Sequence, residues 1–295
     1  MPDNSRLKIA VVGTGISGLS AAWLLGRRHE VTLYEQADRV GGHSNTVQVA
    51  CEGRTIPVDT GFIVFNRATY PNRTALFAHL GVPTQPSSMS VAASLDGGEF
   101  EYAGGGGLPG LFAQKQNLVR PRFLGMLAGV RRFYSEAMRD AAAARCEGMS
   151  LGEYLEVGGY GAAFRDDHLL PMACAIWSAT PAEMLSFPAL AFIRFHANHG
   201  LLQLRGRPAW ETVTGGSIAY VRRLIDDFAG TIRLDASVLG VRRLGSCVEV
   251  RDARGSVERF DHVVMACHAD QALSAIEQPT PDEVSLPVEV GQVVA

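Results

Sequence analysis

Between Lys8 and His43 the chain reads KIAVVGTGISGLSAAWLLGRRHEVTLYEQADRVGGH, and its glycines and acids have the types and spacing to hold a dinucleotide. Gly13, Gly15 and Gly18 form G-x-G-x-x-G. The first glycine permits a tight turn, the second lets backbone approach a pyrophosphate, and the third lets a helix pack closely on a strand. Ile16 and Ser17 open that helix, so N–H groups at its start face the phosphates. Glu35, 17 positions beyond Gly18, can accept both hydroxyls of an adenosine ribose, which points away from a 2′-phosphate. NAD and FAD are not separated by these features.

A lone G-x-G-x-x-G is often an ordinary glycine-rich turn, so the elements around it decide its meaning. The apolar run Ile9 to Val12 reads as a buried parallel strand, Ile16 to Arg27 as a proline-free helix, and Glu30 to Tyr34 as a second strand. Thr46 to Val58 is a hairpin turning at Glu52 and Gly53, Leu76 to Leu80 is helical, and Met89 to Tyr102 forms a second hairpin turning at Asp96 to Gly98. Ala103 to Gly110 is glycine-rich but follows no parallel strand, and reads as a flexible linker. Leu111 to Ala144 and Leu151 to Leu170 are mainly helical, and the chain returns to the nucleotide domain near Trp210. Gly215 and Gly216 then open an amphipathic helix, Thr231 to Leu234 is a strand ended by Asp235, and Val238 to Leu244, Cys247 to Asp252 and Val257 to Phe260 make a meander before a buried strand at Asp261 to Cys267. The expected fold is α/β, with a discontinuous nucleotide domain of 1–72 and 207–270 and a helix-rich substrate domain of 73–206.

In EQADRVGGHSNT, Gly41 and Gly42 make a second close-approach turn just after the acid. With Glu35 and Arg39 they match E-x-x-x-R-x-G-G, and on these residues the chain resembles the FAD-dependent amine oxidase and phytoene desaturase superfamily. The segments Val58 to Asn72, Ala175 to Ala189, Asn198 to Leu202 and Val213 to Leu224 resemble a little-characterised bacterial branch of NAD/FAD-binding proteins. The resemblance implies a Rossmann-type FAD domain, a parallel sheet with a β-meander, carrying the inserted substrate domain. It places Arg39, Gly41 and Gly42 along the flavin side and adds Gln36, His43, Gly61 and Phe62 as cofactor candidates. It also places Val238 against the adenine, although by pattern alone Val238 is one buried β-branched residue.

The implied activity is FAD-dependent oxidation or dehydrogenation of an apolar small molecule, with a lipid acyl chain among the candidates. Amine-oxidising members hold a lysine-bound water near the flavin; here the only lysines are Lys8 and Lys115, and neither falls where that role lies. No cysteine stands where some amine oxidases tether flavin, so FAD is expected to be non-covalent. No second G-x-G-x-x-G follows a strand, which speaks against a separate NADPH domain and leaves dioxygen, a quinone or a protein carrier as electron acceptor. The resembled family continues well past the strand ending at Cys267, whereas this sequence runs on only to Ala295, so 271–295 reads as an incomplete C-terminal segment. The alternative is therefore an inactive cofactor-binding remnant, with weak FAD binding, an exposed apolar patch and a tendency to associate.

Composition agrees with a globular enzyme: 295 residues, 47% hydrophobic and a net charge of -3 supply a core and no overall attraction to nucleic acid. Five scattered cysteines and eight histidines form no C-x-x-C pair or ligand cluster, so no metal and a reducing cytoplasm are expected. The N-terminal apolar stretch is accounted for by the first strand and helix and is not read as a targeting segment. No residue stands out as a catalytic acid or base. His196 and His199 either line a cavity or bond a helix end, and Asp59 and Trp177 fit structural and functional roles alike. From Tyr102 to Ser135 there is no acid, while Lys115, Arg120, Arg122, Arg131 and Arg132 alternate with apolar residues. Residues 115–134 thus have the composition of a peripheral membrane-surface helix, and equally that of the commoner helix with its apolar face on a domain core.

Overall fold

The computed structural model describes residues 6–104, 107–203 and 206–285. The chain forms two compact units: the first draws its described residues from Met1–Ile63, Asn72–Gln85 and Thr212–Ala295, the second from Val64–Pro71 and Pro86–Glu211.

In the first unit β1 (Lys8–Val12), α1 (Ile16–Leu25) and β2 (Glu30–Tyr34) form the strand, turn and helix read from the sequence. Then follow β3 (Thr46–Cys51), β4 (Arg54–Asp59), α2 (Pro71–Leu80), α3 (Ile218–Asp226), β5 (Thr231–Arg233), the meander β6 (Val238–Arg243), β7 (Val248–Asp252) and β8 (Val257–Phe260), β9 (His262–Met265) and α4 (Ala269–Ala275). The central sheet is parallel with strand order β5-β2-β1-β9. Val12 is in register with Tyr34 on one side and Met265 on the other. A parallel strand covered on both faces is buried on both, which is why Ile9 to Val12 is an unbroken apolar run. The meander packs Val250 and Phe260 against Ala10 and Tyr34, with Val238 at the margin of that cluster. Helix α2 begins at Pro71, earlier than its apolar stretch suggests, because proline suits a first helical turn. Residues 72–85 pack with this unit, Phe77 lying 5.0 Å from Tyr220.

The β3–β4 hairpin turns at Glu52 and Gly53, whose φ values of 49° and 74° suit a two-residue hairpin loop. Pairing of Val47 with Val58 and Val49 with Ile56 puts four β-branched residues on one face, and all four are exposed. The far end of the hairpin is fixed by a cap. Ser217 N–H donates to both carboxylate oxygens of Asp59 at 2.8 and 3.0 Å, and Ile218 N–H donates to Thr46 Oγ1 at 3.0 Å. Asp59 therefore satisfies the start of α3, whose first N–H groups have no partner within the helix. Asp59→Ala is expected to destabilise the protein by about 1–2 kcal/mol in urea unfolding, the scale of a lost helix cap. A smaller loss for Asp59→Asn, which keeps one acceptor, would support the assignment.

The second unit is built on a helix at Pro121–Ala142 that buries Phe123, Met126, Val130, Phe133 and Ala137, a stripe of helical period. Gly129 admits Phe164, because a Cβ at 129 would overlap the Phe164 ring. Basic side chains of this helix meet acids both outside it and within it. Arg122 donates to both oxygens of Asp167 at 2.6 and 2.7 Å and to Asp96 at 2.7 Å, and Arg132 pairs with Glu136 at 2.9 Å. Gly107–Leu111 is a short helix and not the flexible linker expected of Ala103 to Gly110; Leu111 and Phe112 draw it onto the Phe100–Phe123 cluster. Gly105 and Gly106 lie outside the described residues, as do 286–295. Helices Leu151–Val157 and Pro181–Ser186 both open with reciprocal caps, Ser150 with Glu153 and Thr180 with Glu183. Among the described residues no helix is long and apolar enough to cross a membrane, and no cluster of three or more histidines, cysteines or acids could hold a metal.

Candidate dinucleotide site

Three loops converge at the carboxyl end of the parallel sheet, the edge where open α/β sheets bind their ligands. They follow β1 (Gly13 to Gly15), β2 (Glu35 to Ser44) and β9 (Ala266 to His268). The three glycines of the motif do three different jobs. Gly13 has a φ of 101°, and a Cβ there would lie 2.6 Å from Ala266 O. At Gly18 a Cβ would overlap the Gly13 carbonyl oxygen, so its smallness serves packing of α1 on β1.

Gly15 is different. Its φ and ψ of -60° and 175° are open to any residue, and a Cβ built on it meets nothing within 4 Å. Neither backbone nor protein packing calls for glycine, so what its smallness preserves is free space beside the turn. Helix α1 starts there with no side-chain cap and no acid in its first turn. The N–H groups around Ile16 and Ser17 thus remain for an outside acceptor, and the helix dipole favours an anion.

Thr14, fully buried, ties this turn to the other loops, and sequence reading passed over it. Its N–H donates to Glu35 Oε2 at 3.1 Å, and its hydroxyl donates to the same oxygen. Gly41 N–H donates to Thr14 O at 3.1 Å and to Thr14 Oγ1 at 3.2 Å. Ala37 N–H donates to Glu35 Oε1 at 2.9 Å. Glu35 is thus a framework residue before it is anything else: it accepts three protein hydrogen bonds, which leaves about one of a carboxylate's four acceptor positions for a ribose hydroxyl. The available signal for Thr14 is a hydroxyl residue enclosed by two turn glycines. Glu35→Gln sets an amide N–H₂ against one of these donors. It is expected to cost about 1–3 kcal/mol in unfolding and to weaken flavin retention by about 1–2 kcal/mol. Urea titration and flavin titration measure the two losses, and an unchanged dissociation constant would remove Glu35 from the site.

The remaining candidates gather around the second turn. A Cβ on Gly42 would be 3.1 Å from Gly15 Cα, so the two glycine turns touch. Arg39 donates to Gly42 O at 3.2 Å, Ser44 N–H donates to Gly41 O at 2.9 Å, and the Ser44 and Tyr220 hydroxyls bond each other. Gly61 lies against His43, since its Cβ would be 2.6 Å from His43 O. Gln36 is exposed beside Glu35. Phe62 lies under the Arg73 guanidinium at 3.7 Å, and Val238 starts β6, two residues beyond Ala236, whose N–H donates to Glu35 O at 2.8 Å.

Candidates in the second unit carry ordinary structural duties. His196 and His199 bond the carbonyls of Phe192 and Phe195, each at 2.9 Å through Nδ1. The Tyr70 hydroxyl lies 2.8 Å from His199 Nε2, so both ring nitrogens of His199 are engaged. His196 is enclosed by Trp177, Phe192 and Phe195, and burial lowers its pKa to about 4. His168 is likewise lowered to about 4, by burial first and then by the Arg207 charge. Trp177 packs on Phe187, Phe192 and Phe195 as a core indole.

A family model described as flavin containing amine oxidoreductase matches residues 16–292. The chain belongs to this family. It is 27% identical over 281 residues to the Mycobacterium tuberculosis protein AofH, named as a flavin-containing monoamine oxidase, covering 93% of this chain and 60% of that one. The chain therefore spans 60% of the length of that relative. Among solved structures it is similar to cyclohexylamine oxidase from Brevibacterium oxydans, with a TM-score of 0.73, 19% identity, and 98% of this chain covering 69% of that chain. It is also similar to a fatty acid isomerase from P. acnes, with a TM-score of 0.57, 16% identity and coverage of 94% and 62%. These likenesses show the fold: an α/β fold with a parallel sheet, similar to that of FAD-dependent amine oxidases. The family uses FAD.

Proposed function

We propose that the protein binds FAD non-covalently at the glycine turn and uses it to oxidise or dehydrogenate an apolar small molecule. The observation that carries this is the open space at Gly15, where a side chain would fit the protein and only a ligand is left to exclude it. FAD, when bound, supplies a two-electron acceptor that takes hydride from the substrate. This chain's own residues do the holding. The start of α1 faces the diphosphate, Glu35 offers its remaining acceptor position to the ribose, and Arg39 with Gly41 and Gly42 follows the dinucleotide outward.

Neither lysine favours amine chemistry. Lys8 is engaged with Glu258 at 3.7 Å and lies over the Phe260 ring, and Lys115 is on the helical segment of the other unit. A fatty acid isomerase stands beside amine oxidases among the similar folds, and an acyl chain is one candidate substrate class. The test is direct. A flavin absorbance band in the purified protein, released to the supernatant by acid precipitation, is expected for non-covalent FAD. Anaerobic bleaching of that band by acyl lipids and not by amines is the outcome the reading requires. Bound flavin that no member of either panel reduces would instead favour a cofactor-binding protein without turnover.

A further inference from the structure

At the same sheet edge the imidazoles of His43 and His268 stack, with ring centroids 5.5 Å apart and planes 12° from parallel. They come from the loops after β2 and β9, the two strands that flank β1. His43 follows Gly42, which touches Gly15; His268 follows Ala266 and Cys267, which touch Gly13. The pair therefore closes a ring of backbone around the Gly13–Gly15 turn. Both residues are exposed, so the stack is not part of a core.

The charged neighbours leave this role to the imidazoles. The Glu35 carboxylate is occupied by Thr14 and Ala37, and that of Asp59 by Ser217 and Thr46. Arg39 bonds Gly42 O, the Cys267 thiol is half-buried and pushed up by burial, and Asp270 on α4 has one buried oxygen with no hydrogen-bond partner. No carboxylate on the first glycine turn itself opposes an anion, and Thr14 is its only polar side chain.

We propose that His43 and His268 clamp the diphosphate of the dinucleotide, each donating a ring N–H to it from opposite sides of the glycine turn. The inference rests on the dinucleotide reading above. A neutral imidazole offers one N–H and an imidazolium offers two together with a positive charge, so the clamp tightens as pH falls.

ADP-ribose is the suitable probe, because its diphosphate is esterified at both ends and keeps its charge across the imidazole range. Its dissociation constant is measured by calorimetry at about pH 6 and about pH 8, a span over which imidazoles as a class change charge. Wild type is expected to bind several-fold tighter at the lower pH. His43→Gln and His268→Gln are each expected to weaken binding at the lower pH by about 3- to 10-fold and to flatten the pH dependence, with the unfolding midpoint unchanged. His43→Arg should bind tightly at both pH values. Glutamine variants that keep wild-type affinity and slope would overturn the clamp while leaving the dinucleotide site intact. Failure of wild type to bind either ADP-ribose or FAD at any pH would overturn the dinucleotide reading and the clamp with it.

Discussion

Gly15→Val is expected to abolish binding of FAD and ADP-ribose, a loss of more than about 100-fold, while the protein stays folded. A Cβ at 15 meets no protein atom within 4 Å, and the backbone there is open to any residue. The only cost to folding is that of a poorer helix N-cap, about 1 kcal/mol or less. The branched side chain instead fills the space where a diphosphate approaches the turn. Gly18→Ala separates the two roles of glycine in one motif: its methyl group overlaps the Gly13 carbonyl, so the expected loss is stability, about 1–3 kcal/mol of overpacking. Circular dichroism with urea reads the loss of stability and flavin titration the loss of binding. If Gly15→Val retains flavin as well as wild type, the turn is not the cofactor site.

The second large effect is a loss of stability on mild acidification. His168 and His196 are held neutral, with pKa values lowered to about 4, against about 6.5 for an unfolded imidazole. Between these values the unfolded chain binds protons that the native chain refuses, so stability rises with pH across the window. The contribution is fully present above about pH 6.5 and is lost as pH falls towards 4, on the order of a few kcal/mol for the two groups together. Unfolding free energies measured at several pH values across this range should fall steeply for wild type. For His196→Leu, which removes one of the two buried rings, the fall should be shallower, even though loss of the bond to Phe192 O lowers stability at neutral pH. An identical slope in the variant would show that His196 is protonated as readily in the native as in the unfolded chain, and that burial does not hold it neutral.

Some elements were legible because everything that forms them is near in sequence. The turn at Glu52 and Gly53, the Gly215–Gly216 start of α3 and the meander of β6 to β8 follow from positive-φ residues and period-two alternation. The helical stripe at Phe123, Met126, Val130 and Phe133 was equally plain. What its arginines do was not, because Asp96 and Asp167 stand outside the acid-free window in which the basic residues were counted. Gly107 to Leu111 misled for the opposite reason: glycine and proline locally favour a loop, and the packing of Leu111 and Phe112 on a distant aromatic cluster overrode that preference.

By itself the sequence determined a strand, a glycine turn and a helix with an acid at the next strand's end, because backbone sterics and side-chain periodicity act over a few residues and leave their mark in residue order. Tertiary structure alone decided how that acid is used, since Glu35 meets Thr14 across 21 positions and spends most of its acceptors there. It also decided that Asp59 caps a helix 158 residues later, and that His43 stacks on His268 over the glycine turn. Hydrogen bonds and ring contacts of this kind act within a few ångströms of space, and no local pattern in the chain records which distant residue will fill that space.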